Sequence, residues 1–559
     1  MDTIRTIQGY YDLFDDEPES IDSYLSGIDK TIMIDYAINY CSLSTIVEPD
    51  VNNIFWAFLN QMDIGTEFYV ALRTKVSNIV IKKKEYPIIL NIKTSLKFFE
   101  LVQGRSMLPS GDLFDYEIRQ RLLKVYLLLN SKNKSVRNRE NFVEQIVEIS
   151  LINSIYSNTN CYYLRITELI KSCLFLEYCK KSIPAHFDVF LSNYGIDKWQ
   201  DYTLYLYQIG KIILEKDIEE PVKSISIPID DIEYDKKTYF FDKFCMQEAY
   251  QDDADFTEIK SHPAIKNNET GEYRIVFEQF FIEKMYKSLY FTFKEINNSL
   301  KGSVNHINKD RFRSDIGLKF SEKVLTHRIL KDALGNKYKQ LGHEELTKDG
   351  NPDYYIRDGK YILLFECKDN LINKKVIDKG DINEFIDVMK GLFIINEDRK
   401  PKAIKQLINN IASIRKGEFI EDKGINIYNN VIYPILITHN TIFSLSGVNA
   451  LIDEWFSEEL NSDSRNFDKN NIKHLTIINI STLILYQGLI SQKGMTIREL
   501  IDLYWKDYLM FENKKYPTAE AMVNELPIKF QSFDSYVENA FKTKNIITKG
   551  LLKYDQYFH

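Results

Sequence analysis

Apolar residues recur at spacings of three and four through most of residues 20–215, in stretches such as NFVEQIVEISLINSIY and YTLYLYQIGKIILEK, so this part of the chain reads as helices of ordinary length. No fixed-period repeat is present. The pattern then breaks into charged, turn-rich segments (KDIEEPVKSISIPIDDIEYDKK, then YQDDADFTEIKSHPAIKNNETGE) that predict short strands among loops and a boundary near 220–240. EYRIVF predicts a strand, and EQFFIEKMYKSLYFTFKEIN a helix with Phe281, Met285 and Leu289 on one face.

Further along, LKFSEKVLTHRILKDAL is an amphipathic helix that Gly335-Asn336 ends, and QLGHEEL reads as a strand. PDYYIRDG and KYILLFECK form two strands about a turn. A loop with Gly380, a helical stretch ending at KAIKQLINNIASIRKG, a strand in VIYPILITHN, a helix in GVNALIDEWFSEEL and a strand in KHLTIINI follow. The order is helix, meander, helix, strand, helix, strand. Strands that are apolar throughout must be covered on both faces, which predicts an α/β class with a sheet between helical layers. The expected division is a mainly helical region over 1–230 with a recognition or regulatory role, a mixed connector over 231–304, an α/β domain over 305–490 and a helical C-terminal extension over 491–559.

Composition sharpens this only in places. A chain of 559 residues exceeds one hydrophobic core, and 44% hydrophobic residues exclude a disordered chain. No basic start followed by an apolar stretch opens the sequence, and no run of 18 apolar residues occurs, so a soluble, cytoplasmic protein with no membrane partner is expected. Six cysteines without C-x2-C pairs read as buried free thiols. The net charge of −8 argues against nucleic acid until it is divided: residues 1–300 carry −11 and residues 301–559 carry +3. Within 301–340, 10 basic residues face 4 acidic ones, a local excess suited to phosphate.

The chemistry concentrates in NPDYYIRDGKYILLFECKDN, residues 351–370. With Asp358-Gly359 as a two-residue hairpin loop, Arg357 faces Lys360 and Asp353 faces Leu364. Glu366 is then the diagonal neighbour of Asp353 on the same face, at about 7 Å, and Lys368 lies two residues further along. Charges at the end of so apolar a strand are costly to desolvate unless they are paired or bind metal. Two carboxylates suit Mg2+ or Mn2+ with water completing the coordination sphere, and a lysine beside them suits the charge that develops on a phosphate under attack.

Pro352-Asp353 followed by Glu366-Cys367-Lys368 at a strand end resembles the signature of the PD-(D/E)xK nuclease superfamily, over about a third of the chain. The resemblance implies a restriction-endonuclease-like α/β/α core, metal held by Asp353 and Glu366, and Lys368 assisting the attacking water. It also implies a further metal-binding Glu from the preceding helix, matched by Glu322, which shares a face with Leu325, Ile329 and Ala333. Glu344-Glu345 on the preceding strand leaves the third carboxylate open. Gln406 occupies the helix where the superfamily often places a glutamine near the site, and Arg311, Arg313 and Arg328 are candidates for backbone phosphates. The expected activity is metal-dependent endonuclease cleavage, DNA preferred over RNA, in bacterial restriction or anti-phage defence. The alternatives are a non-catalytic nucleic-acid-binding or scaffold protein and an RNase effector. A second copy of the chain, or a partner protein bound through the N-terminal helices, is the expected assembly. No G-x4-G-K-[ST], G-x-S-x-G, H-E-x-x-H or G-x-G-x-x-G occurs, so P-loop ATP hydrolysis is not expected.

Overall fold

The computed structural model describes residues 9–46, 63–83, 89–105, 113–132, 141–153, 160–216, 220–246, 256–370, 381–490, 495–512 and 529–541, with a few isolated positions between them. The loop expected around Gly380 lies outside them. The protein is mixed α/β, mostly helical, with two small sheets. Its residues fall into two compact units, one of Met1–Ser135, Thr159–Arg165 and Val189–Ser288, the other of Val136–Asn158, Ile166–Asp188 and Leu289–His559. The units interleave along the chain, an arrangement that consecutive boundaries at 230, 304 and 490 do not describe.

In the first unit, Asp29 and Asn91 cap the helices Lys30–Leu43 and Ile92–Gln103 by accepting from the Thr31 and Thr94 amides. These helices pack through Tyr40, Phe98 and the Tyr126 ring. A small antiparallel sheet pairs β1 (Ser224–Ile225) and β2 (Ala264–Lys266) on either side of β3 (Tyr273–Ile275). The buried Lys216 ammonium satisfies itself on Glu278, the Ser42 carbonyl and hydroxyl, and the Thr45 hydroxyl, so this buried ion pair is fully bonded and structural.

The helix expected over 278–297 is two helices, Glu278–Ile282 and Leu289–Ser299. Phe281, Met285 and Leu289 are buried as their spacing predicts. The aromatic residues of the two halves serve different cores: Phe281 packs on Phe244 in the first unit and Phe293 on Phe175 in the second. A single straight helix does not serve both, and the chain turns between them.

The second unit holds a five-stranded sheet in the order β4 (Lys339–Leu341), β5 (Tyr354–Asp358), β6 (Tyr361–Lys368), β7 (Val431–Thr438), β8 (Thr476–Asn479). β4, β5 and β6 are antiparallel; β6, β7 and β8 are parallel, as helical crossovers require. Ile382–Phe393 and Ala403–Arg415 connect β6 to β7, and Val448–Ser462 connects β7 to β8. The strand expected over QLGHEEL stops at Leu341. The chain turns at Gly342, whose amide donates to the Glu345 carboxylate and where a methyl group would collide with the His327 ring.

A helix that begins at Lys309–Phe312, winds in π fashion over Arg313–Thr326 and ends as His327–Leu334 packs on the sheet face that carries Cys367, through Thr326. The C-terminal helices belong to this same unit: Trp505 donates to Thr476 on β8, and Asp534 accepts from the Asn479 amide. Among the described residues no helix is long and apolar enough to cross a membrane.

Candidate active site

The hairpin that carries the acidic residues differs from the expected register by one pair. Tyr354 lies opposite Phe365 and Asp358 opposite Tyr361, so Gly359-Lys360 is the two-residue loop and not Asp358-Gly359. Gly359 has φ of 59° and Lys360 is not among the residues with positive φ, the pattern of a type II′ turn. The correction brings the site together more closely. The last pair, Tyr354 with Phe365, leaves Asp353 just before β5 and Glu366 next along β6, and the face parity of the strands is unchanged because the shift moves partners by two residues.

Asp353 Oδ2 accepts the Cys367 amide at 2.7 Å, so the carboxylate is fixed against the end of β6. Glu366 is only 2% exposed, and the Lys368 ammonium donates to its Oε1 at 2.6 Å. Burial pushes the Glu366 carboxyl up to about 8, with the Asp353 charge adding to the rise against the pull of Lys368. Burial raises the Asp353 carboxyl too, opposed by Lys368 and the Cys367 amide. Lys368 is held firmly charged, its own desolvation being outweighed by Glu366, Asp353 and Glu322.

Glu322 comes from the helix that seats on β6 through Thr326. Its carboxyl is pushed up to about 7 by burial and then by Asp353, and it acts in turn on Glu366 and Lys368. Its helix is locked to β6 by a buried cluster: Thr326 Oγ1 lies 3.2 Å from Cys367 Sγ and 3.2 Å from His439 Nε2. The expected rivals are occupied elsewhere. Glu345 accepts from Gly342, and the charges of Glu344 and Glu345 act on His327.

Two neighbours were not legible as site residues. Asp369 follows the ExK triplet and raises the Glu322 carboxyl, and Lys323 lowers both Glu322 and Asp353. Their adjacency to Lys368 and Glu322 was the available signal. Gln406 sits half-buried in the helix Ala403–Arg415, and no hydrogen bond among the described residues joins its side chain to the acidic set. Arg311 pairs with Asp315 at 3.2 Å and Arg328 with Asp332 at 3.8 Å on their own helix, while Arg313 is exposed.

The donor set suits a hard cation. Asp353 and Glu366 are desolvated beside one lysine with the Glu322 charge acting on Glu366, and repulsion of this kind is relieved by a proton or by an oxygen-seeking cation. Among the described residues, no three His, Cys, Asp or Glu side chains are gathered closely enough to hold a metal between them. A cation that takes one or two protein carboxylates and keeps its waters, as Mg2+ does, needs no such group of three. Compared with family models, with curated proteins and with solved structures, the chain matches none.

Proposed function

We propose that the protein is a metal-dependent nuclease with a restriction-endonuclease-like core, which hydrolyses phosphodiester bonds of DNA with Asp353, Glu366, Glu322 and Lys368 at its centre. The observation that carries this reading is the proximity of Asp353, which accepts the Cys367 amide at 2.7 Å, to Glu366 and to the Lys368 ammonium 2.6 Å from it. A role in bacterial restriction or anti-phage defence is the part of the proposal that rests on resemblance alone.

Asp353 and Glu366 would hold Mg2+ or Mn2+, with Glu322 completing the acidic set. The bound ion supplies Lewis acidity toward a phosphate oxygen and makes water a better nucleophile. Asp353 is oriented for this by the Cys367 amide, an outer contact of the kind that fixes metal-binding carboxylates. Lys368, freed from Glu366, presents its ammonium to the water or to the charge that grows on the phosphate. Gln406 is assigned a supporting contact to water or phosphate.

The test is cleavage of supercoiled plasmid with Mg2+ by the wild-type chain and by Asp353→Ala and Lys368→Ala. Loss of at least about 100-fold in both variants is expected; full cleavage by both would refute the assignment. Parallel digestion of genomic DNA and total RNA separates a DNase from an RNase effector. The closed Lys368–Glu366 pair favours one rival, a nucleic-acid-binding scaffold that has kept the fold. Calorimetry decides it, because such a scaffold shows no Mn2+ binding that depends on Asp353 and Glu366.

A further inference from the structure

At the carboxyl ends of the three parallel strands the sheet carries one polar row. Lys368 on β6 pairs with Thr438 on β7, and Thr438 with Asn479 on β8. Paired residues of a sheet stand on one face about 5 Å apart, so these three side chains share the face that carries Glu366. One row back on that face stand Glu366, Leu436 and Ile477, two of them apolar. Thr438 is wholly buried, and its hydroxyl has no hydrogen-bond partner among the described residues. Strand preference does not account for it, because Val431, Ile432, Ile435 and Ile437 supply the branched side chain that a strand favours with no polar atom to leave unpaired. An orphaned hydroxyl in the interior is a cost in the resting state, which points to a partner in another state.

Few groups can be that partner. Of the strand residues beside Thr438 on this face, Leu436 offers no polar atom. Asn479 uses its carbonyl to cap the next helix, accepting the Ser481 amide, and its Nδ2 can only donate. The Lys368 ammonium is largely buried and donates to Glu366 Oε1 at 2.6 Å. We propose that Thr438 is the second seat of the Lys368 ammonium: its hydroxyl oxygen accepts the lysine when Glu366 takes up a divalent cation. The proposal rests on the nuclease reading for that cation. An ammonium has only donors, so one whose acceptor is withdrawn in a desolvated place needs another, and like charge drives it from Glu366. The Thr438 hydroxyl is one strand spacing away, within reach of a flexible four-carbon side chain. Thr438 is thus a positioning residue, which keeps Lys368 beside the acidic set without itself touching cation or phosphate.

The test reads metal binding and stability. Thr438→Val keeps the shape and removes the oxygen, and Thr438→Ser keeps the oxygen on a smaller side chain. In EDTA, Thr438→Val should melt at or above the wild-type temperature, because no hydrogen bond is lost with an unbonded hydroxyl. Its Mn2+ affinity, measured by calorimetry on the full chain, should fall about tenfold, and Thr438→Ser should recover most of that loss. In a Lys368→Met background, which has no ammonium to seat, Thr438→Val should leave the affinity unchanged. A purely structural hydroxyl would show no such dependence on Lys368. Wild-type affinity in Thr438→Val, an equal loss in the Lys368→Met background, no Mn2+ binding by the wild type, or a Thr438→Val protein that melts well below it in EDTA overturns the proposal. Coupling of Thr438 to Lys368 in Mn2+ binding with no plasmid cleavage removes the nuclease and leaves the second seat standing, whereas cleavage with a neutral Thr438→Val does the reverse.

Discussion

Asp353 accepts a hydrogen bond from the backbone of Cys367, the residue between Glu366 and Lys368, at 2.7 Å. One carboxylate thus satisfies an amide at the end of β6 and, in the proposed function, would also hold a cation. Substitutions can separate these. Asp353→Asn keeps an oxygen for the amide and removes the charge, so the variant should fold with a melting temperature at or above that of the wild type in EDTA. Its Mn2+ affinity should fall by a factor of 10 or more. Asp353→Ala also orphans a backbone donor and should cost a further ~1–3 kcal/mol. Thermal denaturation and calorimetry on the two variants provide the check. Equal Mn2+ affinity in Asp353→Asn and wild type would remove Asp353 from the metal site.

The raised carboxyls of Glu366 and Glu322 predict a loss of stability in alkali when no metal is bound. Glu366 is pushed up to about 8 and Glu322 to about 7, first by burial and then by Asp353, against about 4.3 for a glutamate in an unfolded chain. A raised carboxyl holds its proton more tightly in the folded state. Its contribution is fully present below the unfolded value and is lost as pH rises through the folded one. In EDTA, stability should therefore decline between pH 6 and pH 8.5, and Glu366→Gln should flatten the decline. Mg2+ should raise the melting temperature more at pH 8.5 than at pH 6, and its binding at pH 7 should release about one proton. Equal Mg2+ shifts at both pH values would count against these carboxyls as ligands.

How far the site could be read from the chain depends on which of its contacts are local. Asp353, Glu366 and Lys368 share one hairpin, where period-two alternation settles the face even when the turn is placed one pair away, and the change from Asp358-Gly359 to Gly359-Lys360 left that parity intact. Glu322 was reachable because its helix follows an apolar spacing that ends in buried Leu325 and Ile329. Neither the Thr326–Cys367–His439 cluster nor the influence of Asp369 was legible, because each requires knowing how a helix seats on a strand. The break between Ile282 and Leu289 is of the same kind. Helical periodicity continues through it, and only the existence of two cores, with Phe281 in one and Phe293 in the other, explains the turn.

At the turn end of the hairpin, away from the acidic set, Asp422 joins three partners. It accepts from Arg357 Nε at 2.6 Å, the Tyr355 hydroxyl at 2.9 Å and the Gly424 amide at 3.0 Å. Desolvation works against its charge, yet the guanidinium and the other donors prevail and hold the carboxyl below the usual range. A lowered carboxyl contributes stability above its unfolded value, near 3.9, which is lost as pH falls through the folded one. Asp422→Ala should thus cost about 3 kcal/mol at pH 7, since Arg357 and Tyr355 lose their acceptor, and the difference from wild type should shrink in acid. Cleavage per folded molecule should stay near the wild-type rate. Urea denaturation at pH 7 and pH 3.5 tests this, and a cost that does not shrink in acid would show that the charge is not what matters.

The position of the turn has its own consequence. With Gly359-Lys360 as the loop, Gly359 alone needs positive φ, and Asp358 is an ordinary strand residue paired with Tyr361. A loop of Asp358-Gly359 would instead place Asp358 at positive φ, where a β-branched side chain is strained. The two registers therefore predict opposite responses. Asp358→Thr should be tolerated, losing only a weak contact with Arg498 at 4.0 Å, whereas Gly359→Ala should cost about 1–3 kcal/mol. Both are read as shifts in the urea midpoint at constant m. A large loss in Asp358→Thr would restore the other loop, and with it the diagonal placement of Asp353 and Glu366.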